Sequence, residues 1–260
     1  MKFITLIENT AAKEKLAVEH GLSLYIEACG KKILFDAGQS IAFASNAEAL
    51  GVDLSAVELA VLSHGHYDHS GGLKAFLEIN DHAPLYLSRH AFEGHYNASG
   101  DDIGVDKAIQ SSGRLVSCGE ICEIAPGLTL CSCNDRERSV PLDHAGLQMD
   151  GEDGLCPDDF RHEQYLLIEE EGKQILISGC SHKGILNIAR WFQPDVLIGG
   201  FHFMKMDPED PGLKEAARAL LELPTVYYTG HCTGEAQFAR LKEWMGDRLH
   251  YISAGTMAEL

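Results

Sequence analysis

The chain has 260 residues, 45% hydrophobic and 23% charged, long enough to bury a sizeable core without disulfide or metal staples. Its 39 Asp+Glu against 21 Lys+Arg give a formal charge of −18, which repels phosphate backbones and anionic lipid and so argues against nucleic-acid and membrane partners. The compositional oddity is 13 His and 8 Cys in an acidic chain with no apolar run near the roughly 18 residues of a membrane span.

The N-terminal Met1–Asn9 segment lacks the cationic region, apolar stretch and small-residue cleavage site of a signal peptide and reads as a first β-strand, so a cytoplasmic location is expected. The cysteines form no two-residue-spaced pairs of the zinc-ribbon kind, and most are expected to be core thiols. Leu22–Ala28, Gly30 and Lys31–Phe35 suggest a hairpin. Ile41–Leu50 looks helical and stops at Gly51. Val57–Leu62 is a nearly continuous apolar strand, followed by a helix from about Gly72 to Ile79. His90–Asp106 looks like a surface insertion, and Asn134–Asp159, rich in Asp, Gly and Pro, like a long loop that could lie over a site. Strands at Ile175–Ile177, Val196–Ile198 and Val226–Tyr228 then alternate with helices at Ile185–Phe192, Leu213–Leu221 and Ala236–Met245. Apolar strands alternating with helices mean sheets covered by helices, an α/β layered fold, and one domain over residues 1–260 is the simplest account.

Four of these strands end in Ser or Gly and then present His or Cys. Val61-Leu62-Ser63 leads to His64, Ile177-Ser178-Gly179 to Cys180, Ile198-Gly199-Gly200 to Phe201-His202, and Tyr228-Thr229-Gly230 to His231-Cys232. Strand ends in such folds converge on one edge of the sheet, where active sites form. The first is the most specific, His64-Gly65-His66-Tyr67-Asp68-His69. In extended backbone, residues two apart face the same way, so His64 and His66 can bind one metal, while a turn carries Asp68 and His69 to a neighbouring one. Such N/O ligation suits Zn(II), Fe(II) or Mn(II). Ser70 is expected to cap a helix that begins at Gly71-Gly72.

Phe35-Asp36-Ala37-Gly38, followed by Leu62-Ser63-His64-Gly65-His66-Tyr67-Asp68-His69-Ser70-Gly71-Gly72-Leu73, resembles the metallo-β-lactamase superfamily. The resemblance implies an αββα sandwich with two divalent metal ions between its sheets, zinc foremost. His20-Gly21-Leu22-Ser23, Gly179-Cys180-Ser181-His182, Gly199-Gly200-Phe201-His202 and Gly230-His231-Cys232-Thr233-Gly234 are similar to a subgroup of dihydropterin-linked ribofuranosylaminobenzene-phosphate synthases and metal-dependent hydrolases.

Members carry a third His, an Asp that bridges the metals, and a final His. The resemblance places His162 at the third His, Cys180 at the Asp and His231 at the final His. His64, His66 and His182 are then expected on the first metal, and Asp68, His69 and His231 on the second. Cys180 binds or bridges, or is a buried thiol; His162 is a ligand, or supports a ligand or contacts substrate. Asp36 is expected to hold a ligand His by a hydrogen bond. Lys183 and Lys205 are candidate phosphate contacts, and His90 and His95 could line the pocket, unlike the other histidines (20, 82, 144 and 250), expected at the surface or in caps.

The expected chemistry is hydrolysis of a small anionic phosphoester or acyl (lactone or thioester) substrate by metal-bound hydroxide. Asp68 would orient that hydroxide, and His202 or His162 would protonate the leaving group. The subgroup implies an alternative, transfer of a pterinylmethyl group from a diphosphate onto ribofuranosylaminobenzene phosphate. Two further alternatives are a flavodiiron-like redox centre and a non-enzymatic metal- or ligand-sensing module.

Overall fold

The computed structural model describes all residues 1–260. In chain order its strands begin with β1 (Lys2–Ile7), β2 (Ser23–Ala28), β3 (Lys31–Phe35), β4 (Leu59–Val61), β5 (Leu85–Ser88) and β6 (His95–Tyr96). There follow β7 (Leu115–Cys118), β8 (Ile121–Ala125), β9 (Leu128–Cys131), β10 (Gln148–Gly151), β11 (Gly154–Pro157) and β12 (Tyr165–Glu170). The last are β13 (Lys173–Ile177), β14 (Val196–Ile198), β15 (Val226–Thr229), β16 (Leu249–Tyr251) and β17 (Met257–Glu259). The helices are α1 (Ala42–Ala49), α2 (Tyr67–Ser70), α3 (Leu73–Ile79), α4 (Ile185–Phe192), α5 (Pro211–Leu221) and α6 (Glu235–Met245).

Two seven-stranded sheets, ordered β17-β1-β2-β3-β4-β5-β7 and β16-β15-β14-β13-β12-β9-β8, stack face to face. Side-chain alternation decides which layer each residue joins. On β13, Ile175 and Ile177 enter the core between the sheets with Phe3, Ile26, Ile33 and Phe35, while Leu176 points out to helices α4–α6. Helices α1 and α3 cover the other sheet through Phe43, Ala47, Leu73 and Phe76. The layer order is therefore αββα, a metallo-β-lactamase fold. The β2–β3 hairpin turns on Cys29-Gly30, both at positive φ (52° and 69°), the two-residue geometry that matches strand twist. Strands β3, β4 and β5 run parallel in one sheet and β13 to β16 in the other, so their C-terminal ends gather at a common edge.

Two sequence expectations need correction. The stretch Asn134–Asp159 contains the β10–β11 hairpin, and β10 pairs with β6 from the His90–Asp106 insertion, so the two insertions clasp each other in a three-stranded sheet. Residues of low β-propensity hid these strands, since Gly151 and Gly154 pair around the Glu152-Asp153 turn and only Met149 of β10 is buried. Ser70 does not cap α3. Its N–H already donates to His66 O within α2, its Oγ is buried without a partner, and Gly72 precedes α3.

Gly72 occupies that position for space: a Cβ there would lie 2.2 Å from Ala37 O and 2.7 Å from Ser40 O. This packing holds the metal-motif turn against the Asp36-Ala37-Gly38 loop. Gly72→Ala is expected to lower the unfolding free energy by about 1–3 kcal/mol, read by denaturant titration; an unchanged midpoint would show that the loop has room to move.

Candidate metal centre

Each strand that was expected to deliver a ligand ends at the shared sheet edge and hands over to a loop. Four non-glycine residues there, Asp36, Ser181, His202 and His231, have φ of 59°, 61°, 59° and 50°. Left-handed backbone of this kind costs about 1–3 kcal/mol per residue and persists where surrounding structure over-determines it, typically at functional sites.

The side chains converge into two adjoining buried groups, His64/His66/His182 and Asp68/His69/Cys180/His231, in each of which the candidate ligand atoms lie within 4.8 Å of one another. The closest approaches are His64 Nε2 to His182 Nε2 at 3.3 Å, His69 Nε2 to His231 Nε2 at 3.2 Å and His69 Nε2 to Cys180 Sγ at 3.2 Å. Asp68 Oδ2 lies 3.3 Å from His231 Nε2. Nitrogens about 2.0–2.1 Å from one tetrahedral ion sit roughly 3.3 Å apart, so these spacings fit ligands converging on a cation.

Outer partners fix which ring nitrogen faces inward. Asp36 accepts from Ser63 N–H and Ser63 Oγ–H, each at 2.7 Å, and from His69 Nδ1–H at 2.7 Å. With its one proton spent on Asp36, Ser63 Oγ accepts from His64 Nδ1–H at 2.8 Å. His231 Nδ1–H donates to Asn9 Oδ1 at 2.9 Å. His64, His69 and His231 thereby all turn Nε2 toward the centre. Glu163 accepts from the backbone N–H groups of His182 (2.7 Å) and Lys183 (3.0 Å) and from Tyr165 OH (2.6 Å), pinning the loop that carries His182. Glu8 accepts from His231 N–H in the same way.

Burial, reinforced by the neighbouring imidazoles, pushes His64 and His182 well below the ordinary histidine range; for His66 burial and then His162 do the same. They are uncharged and ready to ligate. Burial would raise the Asp68 carboxyl, but His69 and His231 beside it outweigh that and hold it well below the usual carboxylate range. Burial would lower His69, yet Asp68 and Asp36 raise it. Burial, then the Cys232 thiol, raises Cys180 well above its ordinary value. A cation here would displace those protons. The donor set therefore fits a pair of divalent metals.

The remaining predicted residues divide. Asp36 lies behind His69 as expected. His162 is not grouped with His64; it is buried beside His66, His95 and Asp158, and its Nδ1 accepts from Gly65 N–H at 2.8 Å. His202 joins neither group: its ring lies 4.4 Å from that of His182, and burial lowers it to about 4. It lines a cavity of about 480 Å³ together with His182, Pro141, Phe201, Phe203 and Lys205. Lys205, whose Nζ donates to Ala145 O at 3.1 Å, can face a ligand there. Lys183 cannot serve as a phosphate contact. It is fully buried, and its ammonium donates to Ser132 O (2.6 Å) and Glu163 O (2.8 Å), because the turn after Cys180 points it into the core. His90 bonds Glu93 away from the centre. His20 is exposed, as expected, and its Nε2 also comes within 3.5 Å of Asp68 Oδ2. Sequence reasoning also missed Glu8, Asn9 and Glu163. Glu163 alone left a signal, an acidic residue beside His162 just before a buried strand.

The sequence profile described as the metallo-beta-lactamase superfamily matches residues 16–231. An uncharacterised protein of Methanocaldococcus jannaschii is 30% identical over 92% of this chain and 93% of its own length. The 7,8-dihydropterin-6-methyl-4-(beta-D-ribofuranosyl)-aminobenzene-5'-phosphate synthase of the same organism is 29% identical over 96% of this chain and 94% of its own. Among solved structures, Tm1679, described as a metal-dependent hydrolase of the beta-lactamase superfamily, superposes with a TM-score of 0.82 at 26% identity, covering 100% of this chain and 99% of its own. Zn(2+)-bound PqqB from Methylobacterium extorquens, at 14% identity and a TM-score of 0.59 over the full length of both chains, shares the fold.

Asp36 is the most connected of the supporting groups. Asp36→Asn leaves one amide oxygen where three donors need acceptors, and is expected to weaken metal retention roughly 10–100-fold in competition with a chelator. Undiminished retention would remove Asp36 from the support of His69.

Proposed function

The chain belongs to the metallo-β-lactamase superfamily, and we propose that it is a dinuclear metal-dependent hydrolase of a small anionic phosphoester or acyl substrate. The observation that carries this reading is the donor spacing of 3.2–3.3 Å among buried imidazole Nε2 atoms whose other ring nitrogen is bonded outward at His64, His69 and His231. His64, His66 and His182 would hold one ion, and Asp68, His69, Cys180 and His231 the other. Zinc suits this mixed N, O and S set best, with iron and manganese as the alternatives. Such a pair supplies a water acidified toward neutrality and a clamp on the oxygens of a displacement.

The chain's own residues do the rest. Asp68, anionic and close to His20 and His231, orients the attacking water and accepts its proton. His202 stands where the cavity meets His182 and touches the leaving group. An anionic substrate beside it raises its affinity for a proton, the condition for acting as an acid. Lys205 supplies a cation for the substrate's anionic part, and the apolar wall of Pro141, Phe201 and Phe203 takes its non-reacting part. The acidic surface restricts the partner to a small molecule, not a nucleic acid.

A second reading, transfer of a pterinylmethyl group onto ribofuranosylaminobenzene phosphate, is favoured by the name of the synthase that is 29% identical over nearly the whole chain. The two separate in a parallel assay of metal-loaded protein. Turnover of bis-p-nitrophenyl phosphate, a lactone or a thioester supports the hydrolase; consumption of a dihydropterin diphosphate only with the aromatic acceptor present supports the transferase. Under either reading His66→Ala is expected to lose one ion per chain and at least 100-fold in activity while staying folded, by elemental analysis and circular dichroism. A His66→Ala protein with full metal and activity would overturn the site.

A further inference from the structure

We infer that Asp158 and His95, which the two insertions bring together, form a positioning relay behind His66. This rests on His66 being a metal ligand, as proposed above. Asp158, His95 and His162 are fully buried, and their candidate ligand atoms lie within 4.8 Å of one another and of His66. Asp158 is held in place by Phe160 N–H, which donates to its Oδ1 at 2.7 Å. Its Oδ2 accepts from His95 Nδ1–H at 2.9 Å. That bond leaves a lone pair on His95 Nε2, which is buried and has no partner.

His66 supplies what His95 Nε2 lacks. Of the two His66 ring nitrogens, Nε2 is the one enclosed without a partner. If Nδ1 serves the metal, the ring's proton must sit on Nε2, where it is a donor that needs an acceptor. In the relay that acceptor is His95 Nε2, which is likewise enclosed without a partner and, in this structure, is not yet hydrogen-bonded to His66. The chain so completed would run from carboxylate to imidazole to ligand imidazole and set the tautomer of His66, the part that the observed 2.7 Å bond of Asp36 plays at His69. Gly65 permits the approach, because a Cβ there would stand 2.6 Å from Ala91 O and 3.2 Å from His95 Nε2.

The same four residues also resemble a third cation site, and the tautomer of His162 argues against one. Its Nδ1 accepts the Gly65 N–H at 2.8 Å, so the neutral ring carries its proton on Nε2, which points 3.4 Å from Asp158 Oδ2. A cation would find no lone pair on that nitrogen. His162 thus presents an N–H and not a lone pair beside the carboxylate that holds His95, near it but not hydrogen-bonded to it.

The test measures zinc binding to the full chain, with stoichiometry from elemental analysis and affinity from competition with a chelating dye. Wild-type protein is expected to bind two ions. His95→Leu is expected to weaken one of them roughly 10–100-fold. His95→Gln, whose amide oxygen can still accept from His66, is expected to retain affinity within a few-fold, and it keeps the test decisive if the leucine variant fails to fold. Wild-type affinity in folded His95→Leu, loss in His95→Gln equal to that in His95→Leu, or a third ion lost on replacing His95 would each overturn the relay. If His66→Ala keeps both ions, the metal assignment itself fails; if it loses one while His95→Leu does not, only the relay fails.

Discussion

The centre is governed by one constraint: a buried imidazole that turns a lone pair inward needs a partner outside for its proton. An unpartnered buried polar atom costs about 1–3 kcal/mol, and a charged one more. Asp36, Ser63 and Asn9 meet that constraint at His69, His64 and His231. Much of the surrounding architecture serves these acceptors. Asp36 sits in left-handed backbone at the end of β3, one strand over from His64, and its carboxylate bonds both the N–H and the hydroxyl of Ser63. Asn9 follows β1, at the far side of the same sheet. The donors and their acceptors thus come from different strands, and the sandwich must be assembled before any single histidine is set.

The constraint also explains why the insertions pair with each other. An isolated β6 of two residues has little to hold it, and the β10–β11 hairpin buries little apolar surface. Joined, they close over the histidines and bring His95 and Asp158 into contact across 63 residues of sequence. Phe160 extends that closure by stacking on His182, its ring centroid at 4.7 Å and the planes at 14°. The insertions are therefore part of the centre's wall and not a cover laid over it.

The elements with strong periodicity were legible in the sequence: α4 and β14 lie at Ile185–Phe192 and Val196–Ile198, as their apolar runs predict, and the β2–β3 hairpin turns at Gly30. The His64–His69 cluster and the strand-end rule located both groups of candidate ligands, because both depend on local spacing. What could not be read was any partner whose role is set by distance in space. Asn9 meets His231 from 222 residues away and carries no motif. Lys183 follows His182 directly, yet one residue of backbone turns it from the cavity into the core, a rotation that spacing does not encode. His95 and Asp158 lay in segments whose composition reads as loop, so neither strand nor contact was visible.

The two groups of candidate ligands differ in charge, and that difference bears on which chemistry suits the site. One offers three imidazoles that burial keeps uncharged. The other holds the Asp68 carboxylate and the Cys180 thiol, which a cation would ionise. In the proposed loading, a divalent ion on the second group is neutralised by its own ligands, while one on the first keeps its full positive charge. An anion entering the cleft is therefore drawn toward His64, His66 and His182, and the cavity lined by His182, His202 and Lys205 opens on that side. The −18 surface works against a long polyanion but is screened beyond about 8–10 Å at ordinary ionic strength, so it does not bar a small one. Hydrolysis and diphosphate displacement both need negative charge held at the uncompensated ion. They diverge in whether the cavity admits water or a second organic substrate beside His202, and the apolar residues Pro141, Phe201 and Phe203 are the part of this wall on which that choice turns.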